Sequence, residues 1–208
     1  MTALLNNPTT KSFLHILRDK DTNTVQFRWA SDSLSRILCS DVVAKLPHTE
    51  SEVVTPVGTA QGPTLTTDVM AVPIYRAGQS MVHAFLEVVP QAVIGSVLIQ
   101  RDEETAQPKL FYRKFPPKLP AYAVILDPML ATAGSAVLTV DILMEAGYDP
   151  ENIYFMGVVA AREGFDRLAE RIGLDHITVA AIDPELNSRK YIVPGLGDYG
   201  DRYFGTQE

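Results

Sequence analysis

Five short apolar runs constrain this chain more than any other feature: Val69–Tyr75, Ile94–Gln100, Tyr122–Leu126, Ile153–Val159 and Ile177–Ile182. None contains a charged residue. A strand with no polar face must be covered on both sides, which is the condition of a strand inside a parallel sheet. Helical patterns near 79–89, 135–146 and 163–172 separate the runs. Strands that alternate with helices predict an α/β fold with a central parallel sheet flanked by helices. Leu110–Phe115 is the exception. It follows Arg101–Pro108 with no helix between, so 101–115 reads as a β-hairpin arm.

Before the sheet, Val25, Leu34, Ile37, Leu38, Val42 and Leu46 recur at three- and four-residue steps. They predict an amphipathic helix from about Thr24 to Leu46, stopped by Pro47. Residues 47–67 are rich in Thr, Pro and Gly and read as a connection with short extended pieces. Residues 1–12 are polar and read as loosely held, within an N-terminal extension over 1–23. No repeat, low-complexity tract or linker divides the chain, and 46% hydrophobic residues in 208 suffice for one core, so 1–208 reads as a single domain.

Several function classes are disfavoured. Lys and Arg number 18 against 25 Asp and Glu, a net charge of -7, which opposes broad binding to nucleic acid or anionic membrane. A few local arginines can still hold a small phosphorylated ligand against that field. Cys39 is the only cysteine and lies in an apolar helical pattern, so it reads as a core residue with no disulfide to form. No apolar run is long enough to span a bilayer and the N-terminus lacks a signal-peptide pattern, so a cytoplasmic location is expected. The four histidines are scattered, without metal-ligand spacing.

Most of the chemistry is concentrated in 122–147. The strand YAVIL runs into Asp127, a loop of small residues follows, and a helix from about Ser135 ends at Gly147, a natural C-terminal cap. Ligands of open α/β sheets sit beyond the carboxyl ends of the strands. A small-residue loop entering a helix offers main-chain N–H groups to an anion, aided by the helix dipole. Thr132 and Ser135 can add hydroxyl donors, and Asp127 can accept from two vicinal hydroxyls of a sugar. The bland alternative is a helix capped by Ser135 or Thr132, with Asp127 as a turn residue. Neither the P-loop nor the GxGxxG fingerprint is present.

DPMLATAGSA resembles the phosphoribosyl pyrophosphate (PRPP) loop of uracil phosphoribosyltransferases, a branch of the type I phosphoribosyltransferases. VPIYRAGQSM (72–81) is similar to the family's pyrophosphate-side segment, IQRDEETAQPKLFYRK (99–114) to its hairpin arm, and NSRKYIVPGLGDYGDRYFGT (187–206) to its C-terminal uracil loop. LHILRDKDTNTVQFR (14–28) resembles its N-terminal region, and DEETAQPKLFY and GDYGDRYFGT look closer to the eukaryotic branch.

The resemblance implies a type I phosphoribosyltransferase fold and the reaction of uracil with PRPP to give UMP and diphosphate. It assigns PRPP to Arg76, Arg101, Asp127, Pro128, Met129, Leu130, Ala131, Thr132, Ala133, Gly134, Ser135 and Asp198. Within that set Asp127 takes the ribose hydroxyls, Ala131–Ser135 the 5-phosphate, and Arg76 and Arg101 chiefly the pyrophosphate. Main-chain groups of Ile192, Gly197 and Tyr199, with Asp198 beside them, would meet uracil. Asp198 would face PRPP through Mg²⁺, and Asp198 and Arg76 are the residues put nearest the chemistry. A homodimer or homotetramer is implied. So is activation by GTP in some branches, for which Arg18, Lys20 or Arg28 are candidates.

The family loop has two glycines where this chain has Ala133 and Gly134; the added methyl is tolerated if φ is negative there. Tyr199 stands where the bacterial pattern has a small residue and would add a hydroxyl near the base. Arg162 replaces a residue that is often proline. The alternatives are a phosphoribosyltransferase for another base, or a catalytically weak nucleotide-sensing regulator of the same fold.

Overall fold

The apolar runs become the strands of one twisted sheet. A computed structural model describes residues 7–65, 68–101 and 108–206. In chain order these form α1 (Pro8–Arg18), α2 (Thr24–Ala44), β1 (His48–Thr55), β2 (Gly58–Leu65), β3 (Val69–Tyr75), a 3-10 turn at Ala77–Met81 and α3 (Val82–Val88). There follow β4 (Val93–Ile94), β5 (Ser96–Arg101), β6 (Pro108–Lys114), β7 (Tyr122–Leu126), β8 (Met129–Leu130) and α4 (Gly134–Ala146). The chain continues through β9 (Ile153–Ala161), α5 (Arg162–Ile172), β10 (Ile177–Asp183), β11 (Glu185–Leu186), β12 (Ile192–Val193) and α6 (Tyr199–Phe204).

The main sheet has the order β10-β9-β7-β3-β5-β6. Every pairing from β10 to β5 is parallel. Alternate residues of one strand feed two cores. Val69 and Ala71 pack with Leu34, Leu38 and Phe85 of α2 and α3, while Met70 and Val72 pack with Val140, Leu143 and Leu168 of α4 and α5. The sheet therefore lies between two helical layers, the α/β architecture expected from the sequence. Cys39 is buried in the α2 layer, and burial pushes its thiol up to about 12, so it is an inert core residue.

Three readings change. Residues 7–18 are not loosely held. Asn7 caps α1 by accepting from the Thr10 amide, Pro8 occupies the first turn, and Leu14 and Leu17 are buried. Residues 48–65 are not a mere connection but a regular antiparallel hairpin, β1–β2, from His48↔Leu65 to Thr55↔Gly58. The expected arm is part of the main sheet: β6 pairs antiparallel with β5 from Ser96↔Lys114 to Arg101↔Pro108 and forms its edge. Residues 102–107 of that arm, with 1–6 of the N-terminal extension, lie outside the described residues.

Candidate active site

β7 delivers Asp127 to the carboxyl edge of the sheet, and the next residues wrap a cleft of about 270 Å³. Its walls are Asp127, Met129 through Ala136, Pro108, Arg167 and Lys190. The loop is shaped from two sides. Gly164 of α5 packs so close that a Cβ there would lie 2.2 Å from the Ala131 carbonyl oxygen. Arg167, one turn along α5, donates to the Thr132 carbonyl at 3.1 Å. α5 thus presses on the loop and also brings a guanidinium to the cleft.

The head of α4 has no side-chain cap. The residue before it is Ala133, and neither Thr132 nor Ser135 takes that role, so the bland alternative of a hydroxyl-capped helix does not hold. The first amides of a helix carry partial positive charge and need an acceptor; here they open onto a cleft. Ala133 has φ 60°, in the left-handed region, so the negative φ at which its methyl would be tolerated is not what the loop adopts. The strain of a methyl at that angle is of order 1 kcal/mol. It is imposed by the sharp entry into α4, the geometry that aims the amides outward.

The Asp127 carboxyl is pushed up to about 7 by burial, against which the Met129 amide acts through a 3.3 Å hydrogen bond to Oδ1. A carboxylate with one weak donor among the described residues, facing a cleft, has capacity for two further donors.

A second cleft of about 320 Å³ adjoins the first and shares Met129, Ala131 and Lys190 with it. Its other walls include Ala77, Ile192, Gly197, Asp198, Tyr199 and Gly200. Gly195 and Gly197 have φ 58° and 81°, so the turn before α6 needs glycine. Asp198 caps α6 by accepting from the Asp201 amide at 2.9 Å.

The model of the family described as uracil phosphoribosyltransferase matches residues 4–206. The chain belongs to the uracil phosphoribosyltransferase family. It is 40% identical over 208 residues to the uracil phosphoribosyltransferase of Dictyostelium discoideum, covering 99% of this chain and 96% of that one. It is 41% identical over 204 residues to that of Campylobacter concisus, covering 98% and 97%. Bacterial and eukaryotic relatives thus match equally, and identity does not favour the eukaryotic branch. A solved structure of a protein from Aquifex aeolicus superposes with a TM-score of 0.84 at 31% identity, covering 97% of each chain. The adenine phosphoribosyltransferase (APRTase) of Giardia lamblia superposes with 0.52 at 13% identity, covering 75% of this chain and 81% of that one, a likeness of fold.

The structure brings together most of the residues singled out from the resemblance to uracil phosphoribosyltransferases. Asp127 and Met129 through Ser135 line the first cleft, and Ile192, Gly197, Asp198 and Tyr199 the second. Pro128 lies beneath, its carbonyl accepting from the amides of Val158 and Val159. Arg76 stands beside the second cleft, near Gly200. Its Nη2 donates to Asp201 Oδ1 at 2.5 Å and its Nη1 to the Thr206 hydroxyl at 3.3 Å. The Thr206 hydroxyl and then Arg76 hold the Asp201 carboxyl below its ordinary value. Arg101 ends β5; its side chain lies outside the described residues. Arg162 begins α5 and pairs with Asp166 on the exposed face.

One expectation is corrected. The Tyr199 hydroxyl is not beside the second cleft. It bonds Ser31 of α2 and accepts from Ser80 at 3.5 Å, deep in the core. Burial pushes this phenol up to about 12, so it stays protonated. Tyr199→Phe is expected to cost about 1–2 kcal/mol in urea unfolding, because Ser31 keeps a dry hydroxyl with no partner. The three effector candidates each have partners within the chain. Arg18 is bound to Asp183 and Gly195, and Arg28 donates to the Tyr203 carbonyl at 2.6 Å. Lys20 pairs on the surface with Asp21.

Lys190 and Arg167 were not foreseen. Lys190 lines both clefts from a turn in which its φ is 63°. A left-handed non-glycine residue was the sequence's hidden signal, since lysine does not advertise that geometry.

Proposed function

We propose that the protein transfers the 5-phosphoribosyl group of PRPP to N1 of uracil, forming UMP and diphosphate. The observation that carries this reading is the shared wall of the two clefts. A sugar phosphate seated at the head of α4 would present C1 at the border with a turn suited to a flat base. The main-chain N–H groups of Ala131–Ser135 would receive the 5-phosphate, with the Thr132 and Ser135 hydroxyls as further donors. Asp127 would accept from the two ribose hydroxyls. Main-chain groups of Ile192, Gly197 and Tyr199 would match the acceptor–donor–acceptor edge of uracil. Cytosine would leave buried groups unpaired on both sides.

In the reaction the bond from C1 to the diphosphate oxygen breaks as the N1–C1 bond forms on the opposite face, and the N1 proton passes to water or to Asp198. Positive charge grows on the ribose, so the protein's work is electrostatic and positional. Arg76 and Arg101 would hold the departing diphosphate, Arg76 exchanging Asp201 for phosphate oxygens. Planar guanidinium forks suit that task.

Among the described residues no three His, Cys, Asp or Glu gather to cage a metal ion. The carboxylates lining the clefts are Asp127 and Asp198. Such a donor set fits Mg²⁺ that is held largely by substrate oxygens and water, with Asp198 as the protein's contact. When bound, Mg²⁺ would supply charge neutralisation for the leaving diphosphate.

Lys190 would add a mobile cation at the border of the clefts. Lys190→Ala is expected to raise KM for PRPP about fivefold and to weaken its salt dependence, with kcat nearly unchanged, as for a contact made equally in ground and transition states. Steady-state kinetics at two ionic strengths would check it.

Activation by GTP is part of the proposal, with Arg18, Lys20 and Arg28 as its candidate residues. Assembly into a homodimer or homotetramer belongs to the same proposal. Val54 and Val57 of the β1–β2 hairpin are 87% and 98% exposed, and a two-stranded hairpin is marginal by itself. A cytoplasmic location is part of the proposal too; among the described residues no helix is long and apolar enough to cross a membrane.

The direct test is chromatographic detection of UMP from PRPP with uracil, cytosine, adenine or hypoxanthine offered in turn. Product from uracil alone is expected. Faster transfer to another base would favour the first alternative, and absence of transfer to any base would favour the nucleotide-sensing regulator.

A further inference from the structure

The turn that would read the base is held from behind. Arg18, the last residue of α1, donates from Nη1 to Asp183 Oδ2 and to the Gly195 carbonyl, both at 2.8 Å, and from Nη2 to Asp183 Oδ1 at 2.6 Å. Asp183 ends β10, and its Oδ2 also accepts from the Gly195 amide at 2.8 Å. One ion pair therefore holds both main-chain groups of Gly195. The turn has little slack: Gly195 has φ 58°, and a Cβ there would lie 2.1 Å from the Ile192 carbonyl oxygen.

A second guanidinium ties the same two segments. Arg202 of α6, itself buried, donates to the Leu196 carbonyl at 2.8 Å and to the carbonyls of Leu17 and Asp19, on either side of Arg18. The end of α1 is thus bonded directly to residue 195 and, through Arg202, to residue 196, and the next residue, Gly197, lines the base cleft.

We propose that Arg18 is a positioning residue for the base site. Through Asp183 and Gly195 it fixes the path of residues 195–199, and so sets the affinity for uracil without touching either substrate. This rests on the reading above that the turn receives uracil. Hydrogen bonds along a flat base edge weaken steeply with misalignment, so a peptide freed at Gly195 would loosen the edge contacts first. The phosphate cleft lies on another loop and would keep its shape. A role in stability alone would instead reduce folded enzyme and affect both substrates in proportion.

Arg18→Ala and Arg18→Lys separate these cases. In Arg18→Ala the KM for uracil is expected to rise about 10- to 100-fold, while kcat stays within about threefold and PRPP affinity by calorimetry within about twofold. Lysine keeps the charge but lacks the planar fork, and should retain most of the defect. Ethylguanidinium should lower the uracil KM of the alanine variant and leave the wild type unchanged. An unchanged uracil KM in a folded variant would overturn the proposal. So would a loss shared equally by uracil and PRPP with no rescue. If Arg18→Ala does not fold, the same split in Arg18→Lys decides. A wild type that makes no UMP would defeat the functional reading instead, so the two failures are distinct.

Discussion

Asp127→Asn should lower kcat/KM for PRPP by about 100-fold at pH 8, because an amide accepts from one ribose hydroxyl where a carboxylate accepts from two with its full charge. The variant should also remove a pH dependence. In the unliganded protein burial raises the Asp127 carboxyl to about 7 from 3.8. The folded state therefore binds more protons than the unfolded state between those values, and this group's contribution to stability is lost as pH rises toward 7. Thermal melts of the wild type relative to Asp127→Asn should show that decline. Ligand binding runs the other way. Receiving two hydroxyl donors favours the ionised carboxylate, so PRPP must displace a proton below about pH 7. Wild-type affinity should improve from pH 6 to pH 8 by more than the ionisation of PRPP accounts for, and Asp127→Asn should show the PRPP share alone. Calorimetry in buffers of different ionisation enthalpy would count the proton directly.

Gly164→Ala should disable the same cleft from outside it. The new Cβ would meet the Ala131 carbonyl oxygen at 2.2 Å, the Ala131 carbonyl carbon at 2.9 Å and the Leu130 oxygen at 3.0 Å. All three are backbone atoms, so no rotamer can relieve them. Either α5 or the phosphate loop must move by about 1 Å, at a cost of about 2–3 kcal/mol. In a chain of this size that lowers Tm by about 5–10 °C. If the loop is the part that yields, its amides lose their common aim, and PRPP affinity should fall about 100-fold. Gly164 does not line the second cleft, so the loss should be specific to PRPP. Melting curves and PRPP titration on one sample would test both parts.

The sheet was legible because its strands are covered on both faces. The run Val69–Tyr75 became β3 over those same residues, since nothing but burial suits seven uncharged residues in a row. The phosphate loop was legible for a similar reason: a strand ending in Asp127, small residues and a helix closing at Gly147 leave few other geometries. The β1–β2 hairpin was not. Its strands are exposed on both faces, so the two-residue alternation that marks a half-buried strand never arises. α1 carried a readable Asn-Pro start, obscured by a polar first turn.

Within the site two of the misses share a cause, which is distance along the chain. Arg18 looks like a free cation until Asp183, 165 residues away, is placed beside it. The Tyr199 hydroxyl could be assigned only once Ser31 of α2 lay behind it. Ala133 differs: its positive φ belongs to the sharp entry into α4, which local propensity does not report.

The account turns on a phosphate seated on the α4 amides with a pyrimidine in the neighbouring cleft. A crystal structure with UMP bound tests this directly. The account predicts phosphate oxygens within about 3 Å of the amides of residues 132–135, both ribose hydroxyls on Asp127, and the uracil edge against the main chain of 192–199. UMP bound elsewhere, or in the clefts with its base turned away from that main chain, would contradict it.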